Sequence, residues 1–224
     1  MQPNLGTILN SGAVPLVHET DTFSFERELY RLGYHGIVGI DEVGRGPLAG
    51  PVVAASVILP QDCDYAQFLD SKKLTSAHRE RLVIVLKEIG AVMAIGLVSE
   101  QQIDTLNILQ ASLLAMKKSL ECLAERPDFL LVDGKFPVQV DLPQRLLIKG
   151  ESRSASIAAA SIIAKVYRDN LMRQYHCQYP HYAFYKNMGY PTLEHRQALA
   201  SHGPCPLHRQ SFSGVKGFFS KGND

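Results

Sequence analysis

Cysteine is scarce in this 224-residue chain, which has four, none of them in a C-x-x-C pair. We therefore expect neither a disulfide framework nor a zinc site. No stretch reaches the roughly 18 apolar residues that a membrane span needs. The first 17 residues also lack the basic segment and apolar run of a signal peptide. These absences predict a soluble, unexported, cytoplasmic protein that does not contact membranes. We also expect it to be a monomer.

Net charge is also nearly absent, at +1, but it is unevenly distributed. Residues 145–221 contain 11 lysines and arginines against three acidic residues, together with five of the eight histidines. A basic last third beside an acidic remainder suits a phosphate-binding surface next to a carboxylate cluster. Solvated helix faces give the same tally, so the charge pattern alone leaves the nucleic-acid interpretation open.

The apolar pattern predicts an α/β fold, with a mixed five-stranded sheet flanked by helices and a C-terminal helical extension. Strands are predicted at 36–41, 52–59, 91–98, 129–133 and 145–148, and helices at 23–32, 76–89, 99–124, 154–177 and 192–202. A strand pair opens the sheet and later strands alternate with helices. We divide the chain into a leader with a short helix (1–34), a main α/β domain that includes the C-terminal helices (35–215) and a tail (216–224).

Two of the predicted strands end in an aspartate, Asp41 and Asp133. If these strands are parallel neighbours, the two carboxylates face each other across roughly 5 Å. Like charges held that close need a cation, and Mg²⁺ or Mn²⁺ is the hard ion that carboxylate oxygens favour. A hydrolytic nuclease is the expected chemistry. Taken singly, an aspartate at a strand end is more commonly a turn former or a helix cap.

The glycine-rich segment after the first strand could instead be taken for a dinucleotide-binding turn. No helical pattern follows Gly44 and Gly46, and Pro47, Gly50 and Pro51 intervene. The segment is therefore predicted to be a tight connection whose backbone can closely approach a ligand.

Seven motifs, in order and with family-like spacing, make residues 35–215 resemble ribonuclease HII. They are GIDEVGRGPLAGPVVAA at 39–55, DSKKL at 70–74, VDG at 132–134, KGE at 149–151, AAASIIAK at 158–165, GYPT at 189–192 and HRQSF at 208–212. The resemblance implies the ribonuclease H-like fold and two Mg²⁺ or Mn²⁺ ions. It also implies cleavage on the 5′ side of a ribonucleotide, leaving 3′-hydroxyl and 5′-phosphate ends. The implied substrates are RNA–DNA hybrids and duplex DNA with single embedded ribonucleotides, which implies a role in ribonucleotide removal from DNA.

The resemblance assigns Asp41, Glu42 and Asp133 as catalytic metal ligands. The fourth family ligand is usually an aspartate after Lys-Gly, and here that position is Glu151. Glutamate keeps the charge but lengthens the side chain by one methylene, which bears on metal occupancy and preference. Asp169 is the other nearby acid, and we expect it to pair with Lys165 one helical turn earlier.

For substrate binding, the resemblance implies that the backbone of Gly44, Arg45 and Gly46 recognises the ribose 2′-hydroxyl. Glycines permit that backbone approach, and the 2′-hydroxyl distinguishes RNA from DNA. Tyr190 matches a tyrosine that packs on the sugar and hydrogen-bonds the 2′-hydroxyl; its alternative role is that of a loop aromatic. The basic residues that match phosphate-contacting or bracing positions are Lys72, Lys73 and Lys165. His208 and Arg209 belong to a motif with no firm role.

Three competing interpretations remain. Ribonuclease HIII normally carries a substantial N-terminal domain, for which 34 leader residues are too few. A catalytically silent hybrid binder is disfavoured by intact acids at all four positions. Val215 and Phe218-Phe219 are spaced like the end of a replication-clamp-binding peptide, but the leading glutamine of such a peptide is missing.

Overall fold

The computed structural model describes residues 21–68 and 71–219, together with the backbone but not the side chain of Lys73. Most of the predicted leader, Asp70 of the DSKKL motif and the end of the tail lie outside the described residues. No helix in the described part of the chain is both long enough and apolar enough to cross a membrane.

Within these ranges the chain forms five strands and seven α-helices, joined by short turns of 3₁₀ helix. The strands are β1 (Ile37–Val43), β2 (Val52–Ile58), β3 (Val92–Val98), β4 (Phe129–Asp133) and β5 (Gln144–Leu147). The helices are α1 (Ser24–Arg31), α2 (Ser76–Glu88), α3 (Glu100–Leu106), α4 (Ile108–Glu121), α5 (Ala155–Gln178), α6 (Phe184–Asn187) and α7 (Leu193–His202).

The strands form one mixed sheet in the order β3-β2-β1-β4-β5. β2 pairs antiparallel with both β1 and β3, whereas β4 pairs parallel with β1 and with β5. This confirms the predicted mixed five-stranded sheet, and it makes the two strands that carry Asp41 and Asp133 parallel neighbours.

Helices cover both faces of the sheet, because the side chains of β2 alternate between two core clusters, one on each face. Val53, Ala55 and Val57 pack in one core cluster with α2 and α5, whereas Val52, Ala54 and Ile58 pack in another with α3 and α4. Because successive side chains of a strand point to opposite faces, a strand that is apolar throughout must be covered on both sides. The result is three layers with the sheet in the middle.

The small residues of α5 let this helix lie unusually close to β1. A Cβ atom added to Gly39 would lie 2.1 Å from the backbone carbon of Ser156, so only glycine fits there. Small side chains such as alanine and serine, which dominate the first half of α5, permit this close approach. The contact fixes α5 against the strand that carries Asp41 and Glu42.

Two predicted boundaries were wrong. Strand β1 continues two residues past Asp41, because β2 keeps pairing with it as far as Val43. The helix predicted over 99–124 is two helices, separated at Asn107, whose φ is 72°. The Asn107 side chain then caps the second helix by accepting from the backbone N–H groups of Leu109 and Gln110.

The C-terminal part of the chain forms a separate core cluster around the loop that follows β1. Leu48 and Ala49 of that loop are buried against residues of α5, α6, α7 and the segment that follows α7, namely Met172, Phe184, Leu199 and Val215. This is the predicted C-terminal helical extension, with α6 as an element that the sequence pattern did not indicate. The extension therefore supports the glycine-rich loop from behind.

Helix α1 packs on the sheet and on the start of α5. Phe23 and Leu29 are buried in two core clusters, and the carboxylate of Glu26 accepts hydrogen bonds from Ser154 and Ser156 at the start of α5. Burial raises the pKa of Glu26, and the serine hydroxyls partly oppose that rise. The division at residue 34 between leader and catalytic domain stays a prediction.

Candidate active site

An acidic cleft lies at the carboxyl ends of β1 and β4. Parallel pairing of these strands runs up to Ile40 and Val132, so Asp41 and Asp133 come directly after the last paired residues. Both side chains line a cleft of about 500 Å³ together with Glu42, Lys72, Lys165 and Tyr190. Ligands bind at such strand ends in open α/β sheets, and the structure places six of the sequence-predicted site residues there.

Glu151 lies at the edge of the cleft, in the short 3₁₀ turn that leads into α5. Its carboxylate forms an ion pair with Lys72 and accepts a hydrogen bond of 3.2 Å from the hydroxyl of Ser161. Both partners line the cleft. The preceding residue, Gly150, donates its N–H to Asp133 at 2.6 Å, which ties the Glu151 turn to the end of β4.

Simultaneous ionisation of the three cleft acids, Asp41, Glu42 and Asp133, is unfavourable. Burial is the largest cause that raises the pKa of Asp41 well above its ordinary value, and the neighbouring charges of Glu42 and Asp133 add to it. Burial likewise raises the pKa of Glu42, against the opposing charge of Arg45, and the pKa of Asp133, against the hydrogen bond from Gly150. A bound cation would favour their charged forms.

The donor chemistry of the cleft fits a hard divalent cation, because it consists of crowded, partly buried carboxylates. In residues 21–68 and 71–219, however, no three or more His, Cys, Asp or Glu side chains are grouped so that they hold an ion as placed. Two of the four acids face basic partners instead: Glu42 pairs with Arg45 at 3.1 Å, and Glu151 pairs with Lys72.

The glycine-rich loop after β1 borders the cleft on the side of Tyr190. A Cβ atom added to Gly46 would lie 3.6 Å from Cε1 of Tyr190, so the loop backbone and the ring are neighbours. Gly44 has a φ of 97° and lies over the guanidinium of Arg168. The Tyr190 side chain is 39% exposed, which leaves its ring accessible from the cleft.

Two buried arginines hold this loop, and the sequence pattern indicated neither role. Arg209 donates to the carbonyls of Gly44, Arg45 and Gly50 at 2.6–3.1 Å. Arg168 donates to the carbonyls of Ala49, Pro51 and Met188 at 2.9–3.0 Å. Arg168 and Arg209 count among the 11 basic residues of the last third, but both are fully buried and cannot form part of a phosphate-binding surface.

A second buried network supports the backbone of Tyr190. His195 bonds the carbonyl of Tyr190 through Nδ1 at 2.9 Å, and its Nε2 lies 3.1 Å from Nε2 of His208. The backbone N–H of Cys205 donates to Nδ1 of His208 at 3.0 Å. These partners assign the protons: His208 carries one on Nε2 and His195 one on Nδ1. The HRQSF motif thus supports both the glycine loop and the tyrosine.

Comparison with known proteins agrees with this geometry. The ribonuclease HII family model matches residues 38–215. The ribonuclease HII of Desulfotalea psychrophila is 59% identical over 208 residues, which cover 91% of this chain and 92% of that protein. The chain belongs to the ribonuclease HII family. Membership makes it a metal-dependent endoribonuclease acting on the RNA strand of RNA–DNA hybrids.

Solved structures confirm the ribonuclease H-like fold. The PCNA:RNase HII complex from Archaeoglobus fulgidus contains a chain that is 24% identical, with a TM-score of 0.68 over 81% of this chain and 96% of that one. Bst-RNase HIII in complex with Mn²⁺ is 20% identical, with a TM-score of 0.63 over 85% of this chain and 71% of that one. At these identities the two structures establish the fold.

The remaining predicted positions have mixed outcomes. Lys165 pairs with Asp169 at 2.8 Å, which confirms the expected partner of Asp169. The Lys73 side chain lies outside the described residues. At the C-terminus, Val215 is fully buried, whereas Phe218 and Phe219 are exposed. A clamp-binding peptide could therefore not use Val215 without unpacking the C-terminal cluster.

Proposed function

We propose that this member of the ribonuclease HII family cuts both long RNA–DNA hybrids and duplex DNA that contains single ribonucleotides, on the 5′ side of the ribonucleotide. The observation that carries the proposal is that the acidic cleft and the glycine loop are adjacent. Asp41 and Asp133 line one cleft with Tyr190, and Gly46 lies against the Tyr190 ring. A ribose held between the loop and the ring would thus have its phosphate beside the acids.

We propose Asp41, Glu42, Asp133 and Glu151 as the ligands of two Mg²⁺ or Mn²⁺ ions. Bound in pairs, such ions activate water and stabilise the charge on the leaving oxygen of a phosphodiester. Asp41 and Asp133 are already held at adjacent strand ends, so they need little reorganisation. Release of Glu42 from Arg45 would let the Arg45 guanidinium meet a substrate phosphate. Glu151 would leave its ion pair with Lys72 to reach the metal.

Substrate recognition is proposed to combine a backbone contact and a ring contact. The N–H groups of Arg45 and Gly46 have no partner among the described residues, so they can donate to a 2′-hydroxyl. Tyr190 would pack its ring on the sugar and donate its own hydroxyl. Lys72, Lys73 and Lys165 are proposed to contact phosphates, which makes binding salt-sensitive.

The test is cleavage of a duplex DNA that carries one ribonucleotide, beside a long hybrid and an all-DNA duplex of the same sequence. With Mg²⁺ or Mn²⁺ we expect the first two to be cut and the third to survive. End analysis should find a 3′-hydroxyl and a 5′-phosphate on the 5′ side of the ribonucleotide. Chelation and Asp41→Asn serve as controls. Cleavage of the hybrid alone would reject junction activity.

A tether to a replication clamp is a second proposal, supported by the exposed Phe218 and Phe219 and by the PCNA complex of the archaeal relative. Replacing both phenylalanines with alanine should abolish binding to a purified sliding clamp while leaving cleavage of a short duplex unchanged. Equal binding by the double variant would reject the tether.

A further inference from the structure

The guanidinium of Arg209 is buried beneath the glycine loop and is bound to its backbone. Arg209 is fully buried, and it donates to Gly44 O at 2.6 Å and to Arg45 O at 3.1 Å. Its Nε and Nη2 also reach Gly50 O, at 2.9 and 2.6 Å. The planar guanidinium therefore links the start of the loop, at Gly44 and Arg45, to its end at Gly50.

These contacts fix the direction of two N–H groups. In a trans peptide unit the C=O of one residue and the N–H of the next point in opposite directions. Because Gly44 O and Arg45 O point inward to Arg209, the N–H groups of Arg45 and Gly46 point away from it. Neither N–H has a partner among the described residues.

Arg209 keeps its positive charge in this position. Burial and the neighbouring cation of Arg168 lower its pKa to about 9, which is still above neutral pH. Hydrogen bonds from a cation to a carbonyl are stronger than neutral ones, and they polarise the peptide groups that accept them. The N–H groups of the same two peptides become better donors as a result.

We propose that Arg209 is a positioning residue for ribose recognition, because it aims and polarises the Arg45 and Gly46 N–H groups toward the 2′-hydroxyl of the substrate. It acts through the loop and does not touch the substrate. The inference rests on the proposed function, in which the same loop distinguishes ribose from deoxyribose.

Arg168 provides a matched control. It is as buried as Arg209 and also donates three groups to backbone carbonyls. Those carbonyls belong to Ala49, Pro51 and Met188, so none lies in the two peptide units that carry the Arg45 and Gly46 N–H groups. Loss of Arg168 should therefore cost stability, and it removes no hydrogen bond from these two peptide units.

The experiment compares Arg209→Lys and Arg168→Lys on two duplexes, one with a single ribonucleotide and one with a 2′-fluoro nucleotide at that position. Lysine keeps the charge but cannot form the fork. The readout is selectivity, the ratio of the two kcat/KM values. We expect Arg209→Lys to lower selectivity about five- to tenfold, as for one lost hydrogen bond. Arg168→Lys should keep wild-type selectivity even if its Tm falls equally.

Two outcomes would overturn the positioning role: unchanged selectivity in Arg209→Lys, or an equal loss in both variants. A wild-type enzyme that does not prefer the ribonucleotide would instead reject the proposed function itself, and the inference with it. The metal concentration for half-maximal activity should be the same in both variants and the wild type, because neither arginine contacts the acids.

Amide hydrogen exchange tests the same idea if Arg209→Lys does not fold. In the Asp41→Asn protein, which should bind without cutting, the Arg45 and Gly46 N–H groups should exchange rapidly when free. A duplex with one ribonucleotide should protect them, and an all-DNA duplex should not. Equal protection by both duplexes, or slow exchange in the free protein, would overturn the inference.

Discussion

Asp41 and Asp133 come directly after the last paired residues of two parallel neighbouring strands, and both line the same cleft. Their positions follow from the sheet, since β1 and β4 both run toward the cleft. Burial raises the pKa of each side chain, and the Glu42 charge further raises the pKa of Asp41. In the metal-free protein, ionisation of these two buried side chains is therefore unfavourable.

The first prediction is that Asp41→Asn or Asp133→Asn abolishes cleavage and leaves the fold intact. An amide removes charge repulsion and burial cost, so metal-free stability should be equal or slightly higher. In Asp133→Asn the side-chain amide oxygen could still accept from the N–H of Gly150, which preserves the local turn. The measurements are cleavage with Mg²⁺ and urea unfolding without metal. Near-normal turnover in either variant would remove that residue from the metal site.

The second prediction concerns the fourth ligand. Glu151→Gln should raise the metal concentration for half-maximal activity or sharply lower turnover. Asp169→Asn is the control, because this buried acid pairs with Lys165 and does not line the cleft. A shift of the metal titration in Asp169→Asn, with none in Glu151→Gln, would show that the assignment is reversed.

The third prediction separates two roles in the glycine loop. Gly44→Ala places a Cβ at a φ of 97° and 2.3 Å from Nε of Arg168. It should lower the free energy of unfolding by about 2–4 kcal/mol. Gly46→Ala meets only the Tyr190 ring at 3.6 Å, so its stability should change by less than about 1 kcal/mol.

Cleavage should respond differently from stability. A methyl group on Gly46 stands where a sugar would approach the backbone, so activity on a single ribonucleotide should fall roughly tenfold or more. Urea unfolding and kcat/KM on both variants test the two roles. Full activity in Gly46→Ala would show that the backbone does not approach the sugar at this residue.

Sequence patterns predicted the sheet, and with it the shared edge at which Asp41 and Asp133 lie, because both depend on local order along the chain. Apolar runs mark buried strands wherever they occur, and acids at their ends fall at one edge once the strands are parallel. Asn107 was harder to foresee, since it interrupts a continuous helical pattern through a positive φ and then caps the next helix. A single asparagine inside an amphipathic pattern rarely signals a break.

The roles of Arg168 and Arg209 could not be predicted from local sequence. Each contacts a loop more than 100 residues earlier in the chain, and a basic residue in a basic segment suggests a surface. The one available signal was that Arg209 lies in the HRQSF motif, which had no assigned function. Only the packing of the C-terminal extension behind the loop reveals why a buried cation is needed there.

The fourth prediction is that His208 makes the protein acid-sensitive. Burial lowers its pKa to about 4, against 6.5 for an ordinary histidine, and His195 opposes its charging. Between these two pH values His208 is protonated in the unfolded chain and neutral in the folded protein. The contribution of His208 to stability is therefore complete above pH 6.5 and is lost as the pH falls, by about 2 kcal/mol at pH 5.

Urea unfolding at pH 7.5 and pH 5 measures this loss, and His208→Gln is the control. The variant should have a smaller difference between the two pH values, because its position 208 does not titrate. The comparison is of pH dependence, so a general loss of stability in the variant does not affect it. Equal differences in both proteins would show that His208 is not buried in its neutral form.

The last prediction concerns how Tyr190 contributes to ribose recognition. Its backbone is fixed by His195, while its side chain is exposed on the cleft beside Gly46. Tyr190→Phe should keep the ring contact and lose one hydrogen bond, a deficit on the order of 1 kcal/mol or about five- to tenfold in rate. Tyr190→Ala should lose the packing as well and fall much further.

The loss should be larger on a duplex with one embedded ribonucleotide than on a long hybrid. A single 2′-hydroxyl permits only one productive register, whereas a hybrid offers several and partly compensates for weaker recognition at each. A site built to bind a hydroxyl also leaves its own polar groups unpaired when the contact fails. Measuring kcat/KM for both variants on both substrates tests this. Only a contact with the sugar makes the loss of kcat/KM depend on the substrate. Equal small losses for both variants on both substrates would therefore show that Tyr190 is a structural loop residue.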